Sequence, residues 1–99
     1  MSCAQTLTLV EGDRLPTLDV TFTGQDITGY TLYLHVQYRD SVLTKTAEVV
    51  NAAAGECRFT WDADDLMAGK WPAEIETIDP DGKALTFQGL VLNIIKDIG

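Results

Sequence analysis

Hydrophobic and polar residues alternate strictly between Tyr30 and Tyr38, the longest regular stretch of the chain. One side of this alternation is largely apolar and consists of Tyr30, Leu32, Leu34, Val36 and Tyr38. The other side is more polar and consists of Thr31, Tyr33, His35 and Gln37. A period of two is typical of a β-strand with one buried face. The pattern therefore predicts a central strand whose aliphatic side lies in the core.

Shorter segments with the same rhythm precede and follow the central strand. They predict further strands at Thr6–Val10, Thr17–Thr23, Val42–Val50, Cys57–Trp61, Trp71–Ile78 and Lys83–Ile95. The fourth strand, 42–50, has the poorest pattern, as expected for a sheet edge, where Lys45 discourages pairing with another chain. About seven strands with almost no helix predict a single all-β domain over residues 1–99, an antiparallel β-sandwich. A small closed barrel is the alternative.

Three local signals refine this prediction. Asp79-Pro80-Asp81-Gly82 combines turn-forming residues and predicts a tight hairpin between the last two strands. In the last strand the apolar phase changes after Phe87, and Gly89 at the change predicts a bulge or kink. The segment Asp62–Gly69 predicts one helical turn that Asp62 caps.

The segment Ala68–Ala73 favours an immunoglobulin-like version of the sandwich. Immunoglobulin domains often carry a small residue, Gly, any residue and Tyr at this crossover, followed two residues later by a core Cys. Trp71 takes the place of the Tyr and Ala73 that of the Cys, so the disulfide of antibody domains is absent. Cys3 and Cys57 are expected to stay reduced, and Cys57 is expected to be buried because it alternates with Phe59.

The charge of the chain limits its partners. It carries 15 acidic and 7 basic residues, a formal net charge of −8. This balance opposes binding to nucleic acid or to an anionic membrane and favours a basic protein partner. Residues 1–10 lack the features of a signal peptide, and no apolar run approaches the ~20 residues of a membrane helix. We therefore expect a soluble protein made in the cytoplasm.

Catalytic and metal-binding constellations are poorly represented. The chain has one histidine, His35, and two serines, Ser2 and Ser41, in no arrangement typical of a catalytic triad. Three Cys and His residues without ligand spacing do not predict a zinc site. Five clustered aspartates are the only calcium candidates, and a helix cap and a hairpin turn account for them: Asp62, Asp64, Asp65, Asp79 and Asp81. We expect neither an enzyme nor a cofactor.

The polar side of the central strand is the main candidate contact surface. Its side chains are expected to lie beside the outward residues of the strand over 71–78. We call the resulting set the outer face: Tyr33, His35, Gln37, Glu74, Glu76 and Ile78. Tyrosine is enriched at protein interfaces, which favours a protein-binding role. An ordinary solvated sheet face is the alternative.

Several short motifs occur in an order known from one family. They are Gly12-Asp13, the strand Leu18-x-Val20-x-Phe22 and Asp26-Ile27-Thr28-Gly29-Tyr30, followed by Gly55-x-Cys57-x-Phe59, Leu66-x-x-Gly69-x-Trp71 and Asp81-Gly82 before Leu85-Thr86-Phe87. In this order and spacing the chain resembles the N-terminal immunoglobulin-like domain of phage baseplate upper proteins. Those proteins usually continue into a receptor-binding region, whereas this sequence ends at Gly99.

The resemblance implies a non-enzymatic phage or prophage virion protein of the tail or baseplate, made in the host bacterial cytoplasm. Its partners would be other phage structural proteins, and particle symmetry favours a homo-oligomer. Two alternatives stay open, a capsid decoration protein and a carbohydrate- or cell-surface-binding module. The second alternative needs Trp61 or Trp71 to be exposed for stacking on sugars, whereas their alternation with Phe59 and Ala73 predicts core positions.

Overall fold

The chain folds into eight β-strands in the computed structural model, which describes residues 2–12, 17–62 and 64–96, with side chains from residue 6 onward. The strands are β1 (Ser2–Val10), β2 (Leu18–Thr21), β3 (Thr31–Gln37), β4 (Val42–Thr46), β5 (Glu48–Asn51), β6 (Glu56–Phe59), β7 (Gly69–Ile78) and β8 (Ala84–Ile95). These ranges contain no helix, and so none that could span a membrane.

Two sheets pack into an immunoglobulin-like β-sandwich, which confirms the predicted fold class. The larger sheet has the order β1-β8-β7-β3-β4 and the smaller one β2-β6-β5. All neighbouring strands are antiparallel except β1 and β8, which run parallel. Two separate sheets also decide against the closed barrel.

The predicted fourth strand divides into β4 and β5, which belong to different sheets. Between them Ala47 donates its backbone N–H to the carbonyl of Leu32, at 2.8 Å. The chain crosses from one sheet to the other at this point, so no single alternation can persist through 42–50. This crossing explains the poor pattern and the count of eight strands rather than seven.

The central strand β3 supplies the middle of the core. Leu32, Leu34 and Val36 are at most 2 % exposed, as their alternation predicts. Phe59 and Leu92, from β6 and β8, are fully buried against the same core. Burial of such aliphatic and aromatic side chains is the main force that holds the two sheets together.

The two turn predictions have opposite outcomes. At the hairpin, the Asp79 carboxylate accepts backbone N–H bonds from Asp81 at 3.0 Å and Lys83 at 2.8 Å, which confirms the tight turn. The helical turn predicted over Asp62–Gly69 is wrong, because the described residues of this segment form a turn at 64–65, irregular backbone and the start of β7. The Asp65 carboxylate accepts the backbone N–H of Asp62 at 2.6 Å, and Asp65 donates its own N–H to the Asp62 carbonyl at 3.0 Å, so the chain makes one hydrogen-bonded turn that does not continue into a helix.

Candidate protein-binding surface

The larger sheet presents all six residues of the outer face on one side. Tyr33 pairs with Glu76 and His35 with Glu74 across β3 and β7, while Ile78 lies opposite Thr31. The pairing of β3 with β7 ends at Val36, so Gln37 lies beyond it and pairs with Val42 of β4 instead. Gln37 is exposed and the other five side chains are partly buried.

Hydrogen bonds hold the middle of the outer face. The two ring nitrogens of His35 lie 3.0 Å from Thr44 Oγ1 and 3.1 Å from Glu76 Oε1. The rings of Tyr33 and His35 stack with centroids 5.9 Å apart. Because β4 and β7 flank β3, His35 links three strands, and the position of its ring is fixed before any partner binds.

A bulge in β8 shapes the neighbouring surface. Ala73 pairs with Leu90 and Ile75 with Phe87, so Glu74 faces two residues, Gln88 and Gly89. Gly89 has a φ of +96°, which L side chains rarely adopt, so the predicted bulge is confirmed at this glycine. The bulge also returns the apolar residues of β8 to the core, which explains the phase change of the sequence.

A hollow of about 570 Å³ lies over this bulge. Val42, Pro72 and Val91 supply apolar walls, while His35, Gln37, Glu74 and Gln88 supply polar ones. Gly89 brings no side chain, and Pro72 lies where the ladder between β3 and β7 has ended, so its missing N–H breaks no pairing there. The hollow is therefore built from backbone irregularities of the larger sheet, in contact with the outer face.

The residues that β4 and β8 contribute to this surface were not predicted from the sequence. Val42 of β4 and Val91 of β8 lie beside the outer face but were not predicted as contacts. The alternation of polar and apolar residues identifies strands but does not determine which strands are neighbours in a sheet. The phase change at Gly89 was the available signal, since a bulge on a sheet commonly redirects the surface beside it.

Two aspartates of the first acidic cluster, Asp62 and Asp65, have a structural partner in Lys45. The Lys45 ammonium lies 2.7 Å from Asp65 and 3.2 Å from Asp62, and these contacts raise the Lys45 pKa, chiefly through the Asp65 hydrogen bond. Lys45 thus points inward from the edge strand β4, a placement that hinders edge-to-edge pairing. In the part of the chain that the structure describes, no three His, Cys, Asp or Glu side chains group as a metal site.

The motif Asp26-Ile27-Thr28-Gly29 serves a turn. The Asp26 carboxylate accepts the Thr28 N–H at 2.9 Å and hydroxyl at 2.6 Å, and these bonds lower its pKa. Tyr30 donates its N–H to the Ile27 carbonyl, and Gly29 has a φ of +78°, as a type II turn requires. Ile27 is 1 % exposed. The motif therefore positions the start of β3 and anchors it in the core.

The two tryptophans differ in their exposure to a possible sugar ligand. Trp61 is 3 % exposed, as its alternation predicts. Trp71 is partly buried, packs edge-on against Tyr38 and donates its indole N–H to the Met67 carbonyl at 2.7 Å. Burial of Trp61 counts against the carbohydrate-binding alternative, which stays a prediction at Trp71.

Cys57 is a buried free thiol. It is 1 % exposed, and burial, together with the nearby charge of Asp19, raises its pKa to about 11. A thiol that stays protonated at neutral pH is a poor nucleophile. The side chain of Cys3 lies outside the described residues.

Comparison with known proteins gives a distant structural similarity. No protein-family model and no curated protein matches the sequence. Among solved structures, murine CRIg is similar over 93 % of this chain and 92 % of its own, with 10 % sequence identity and a TM-score of 0.43.

Proposed function

We propose that this chain is a non-enzymatic structural protein of a phage or prophage particle, associated with the tail or baseplate. It acts through protein–protein contacts of its outer face, with other phage structural proteins or with copies of itself as partners. Nucleic acid and membranes are not among its partners, and it is made in the host cytoplasm and resides in the virion.

The observation that carries this proposal is the construction of the outer face. Five of its six side chains are partly buried, and three of the six line a hollow of about 570 Å³. Tyr33 and His35 are held rigidly by stacking and hydrogen bonds, which lowers the entropy that a binding partner must overcome. The order of the motifs that resemble baseplate upper proteins supports a particle as the setting.

The chemical groups that an enzyme would need are engaged in structure. His35 is bonded to Thr44 and Glu76, and the Cys57 thiol is buried and protonated at neutral pH. Asp62 and Asp65 form ion pairs with Lys45. These contacts support a role in assembly rather than in catalysis.

The proposal is tested on particles purified from an induced culture of the strain that encodes the chain. We expect the chain in the tail fraction at a fixed ratio to tail proteins, measured by quantitative mass spectrometry. Its absence from particles would contradict the proposal, and recovery with heads would favour capsid decoration.

A matched pair of variants tests the surface itself. Ile78→Ser removes an aliphatic group from the outer face, whereas Val50→Ser does so from the smaller sheet, where Val50 is 51 % exposed. We expect Ile78→Ser to lower incorporation into particles and Val50→Ser to leave it unchanged. Equal incorporation of both variants would show that contacts lie elsewhere.

A further inference from the structure

We propose that the hollow over the β8 bulge is a receptor for one arginine side chain of a partner protein. This inference rests on the proposed function in taking the occupant to be a protein. It deepens that proposal by naming the chemistry that the outer face recognises. Glu74 is the residue that binds the guanidinium group.

Glu74 is the group in the hollow whose charge is not balanced. Its carboxylate touches the side-chain amide of Gln88, at 3.5 Å, a weak contact that leaves the negative charge in place. Among the described residues no cation forms an ion pair with it, since the described ion pairs engage His35, Lys45 and Arg58 with other carboxylates. A partly buried carboxylate is stabilised most by a cation that brings its own hydrogen-bond donors.

The other polar groups of the hollow already have partners. His35 is bonded on both ring nitrogens, and the Gln37 amide nitrogen donates to the carbonyl of Tyr38 at 2.8 Å. The interaction that would stabilise the hollow most is therefore an ion pair between Glu74 and a positively charged group. A bare metal ion would find a single carboxylate here, far fewer oxygens than such ions require.

The walls select a cation on an apolar stem. Val42, Pro72 and Val91 line the hollow, and Val42 is 52 % exposed. Arginine fits this combination, because its three methylene groups can cover the apolar walls while its planar guanidinium binds a carboxylate with two parallel bonds. The ammonium of lysine is a more strongly hydrated point charge and makes no such paired contact. The net charge of −8 attracts a basic partner from a distance.

The test is an NMR titration of the ¹⁵N-labelled chain with the peptide acetyl-Gly-Arg-Gly-amide. The matched probe replaces arginine by citrulline, which keeps the shape and removes the charge. We expect saturable chemical-shift changes confined to the backbone amides of Glu74, Gly89 and Val91. Half of the full change should be reached at about 1 mM peptide, as expected for a ligand of this size. The citrulline peptide should bind about tenfold more weakly than the arginine peptide. A third peptide with lysine in place of arginine should also bind more weakly than the arginine peptide, but by a smaller factor.

Three variants separate charge, shape and general acidity. Glu74→Gln should abolish the shifts, and Val91→Phe, which fills the hollow without changing its charge, should abolish them too. Glu56→Gln removes a partly buried carboxylate from β6 of the smaller sheet and should leave binding unchanged. Equal binding of the arginine and citrulline peptides, shifts that persist in Glu74→Gln, or no saturable shift would each overturn the inference.

This experiment uses the isolated chain, so its outcome does not depend on the particle. If the chain does not bind the arginine peptide but still enters particles through its outer face, the arginine site is refuted and the proposed function is not. Arginine binding by a chain that is absent from particles would do the reverse.

Discussion

The indole Nε1 of Trp71 donates a 2.7 Å hydrogen bond to the backbone carbonyl of Met67. Immunoglobulin domains contain a related contact, in which a tyrosine at the start of the corresponding strand bonds to the backbone a few residues upstream. Here the indole makes the bond, and its ring also meets Tyr38 edge-on, with centroids 5.0 Å apart. Trp71 thus fastens the crossover that leads into β7 to the core.

Replacing Trp71 with phenylalanine should weaken this crossover. The Met67 carbonyl loses its donor and the smaller ring leaves a gap beside Tyr38, so the free energy of unfolding should fall by about 1–3 kcal/mol. Trp71→Tyr should cost less, because a hydroxyl group can supply the donor. Urea denaturation followed by circular dichroism measures both variants. Equal stability of Trp71→Phe and the unmodified chain would show that the bond contributes nothing.

The opposite faces of β3 provide a second prediction. Leu34 is fully buried and Tyr33 lies on the outer face. Leu34→Asp places a carboxylate in the core without a partner and should abolish cooperative folding, whereas Tyr33→Asp should shift the melting temperature by only a few degrees. Thermal melts of the two purified variants make the comparison. A soluble, cooperatively melting Leu34→Asp variant would show that the faces are assigned backwards.

The alternation of polar and apolar residues predicted the strands and the bulge of this fold, because both depend on residues close together in sequence. The alternation through Leu34 identified the central strand, and the phase change identified the bulge at Gly89, because side-chain period and burial are directly linked in strands. The crossing of the chain at Ala47 was missed, since both β4 and β5 are strands and only their partners differ. A helical turn was predicted after Asp62, whereas a single hydrogen-bonded turn forms there, and its ion pair with Lys45 joins residues that are distant in sequence.

The candidate site divides in the same way. Tyr33, His35 and Glu76 were placed correctly on one face, because two alternating strands that pair must align their outward positions. The hollow beside them depends on Val42 from an edge strand and on Val91 beyond a bulge. Neither the order of strands in the sheet nor the register after a bulge can be read from one sequence.

The ion pair between Lys45 and Asp65 should contribute to stability. Their side chains are 18 % and 15 % exposed, and the contact is 2.7 Å. Lys45→Met leaves the Asp65 carboxylate without this cation and should lower the free energy of unfolding by about 1–3 kcal/mol. In the double variant Lys45→Met with Asp65→Asn much of that loss should be recovered. Chemical denaturation of the unmodified chain, the two single variants Lys45→Met and Asp65→Asn, and the double variant measures the coupling energy between the two residues. Additive effects of the two substitutions would contradict a direct pairing.

The buried thiol of Cys57 predicts a loss of stability at alkaline pH. Its pKa rises from the ordinary 9.0 to about 11 in the folded chain because burial, and then the charge of Asp19, disfavours the thiolate. Below pH 9 the thiol is protonated in both states and the folded state has its full stability. Between pH 9 and 11 the unfolded chain releases a proton that the folded chain retains, so stability falls as pH rises. At pH 10 the loss from this group should be about 1.4 kcal/mol.

A Cys57→Ala variant isolates this effect. Both chains should carry Cys3→Ser, so that thiol chemistry at residue 3 does not interfere. The alanine variant is less stable at pH 8 because it lacks a buried sulfur, but its stability should decline less between pH 8 and 10. The pKa values of Tyr38, raised mainly by burial, and of Lys45 lie above their ordinary 10.0 and 10.5. Their alkaline losses occur at higher pH and are common to both chains. Parallel stability curves for the two chains would show that Cys57 titrates normally and is not buried as described.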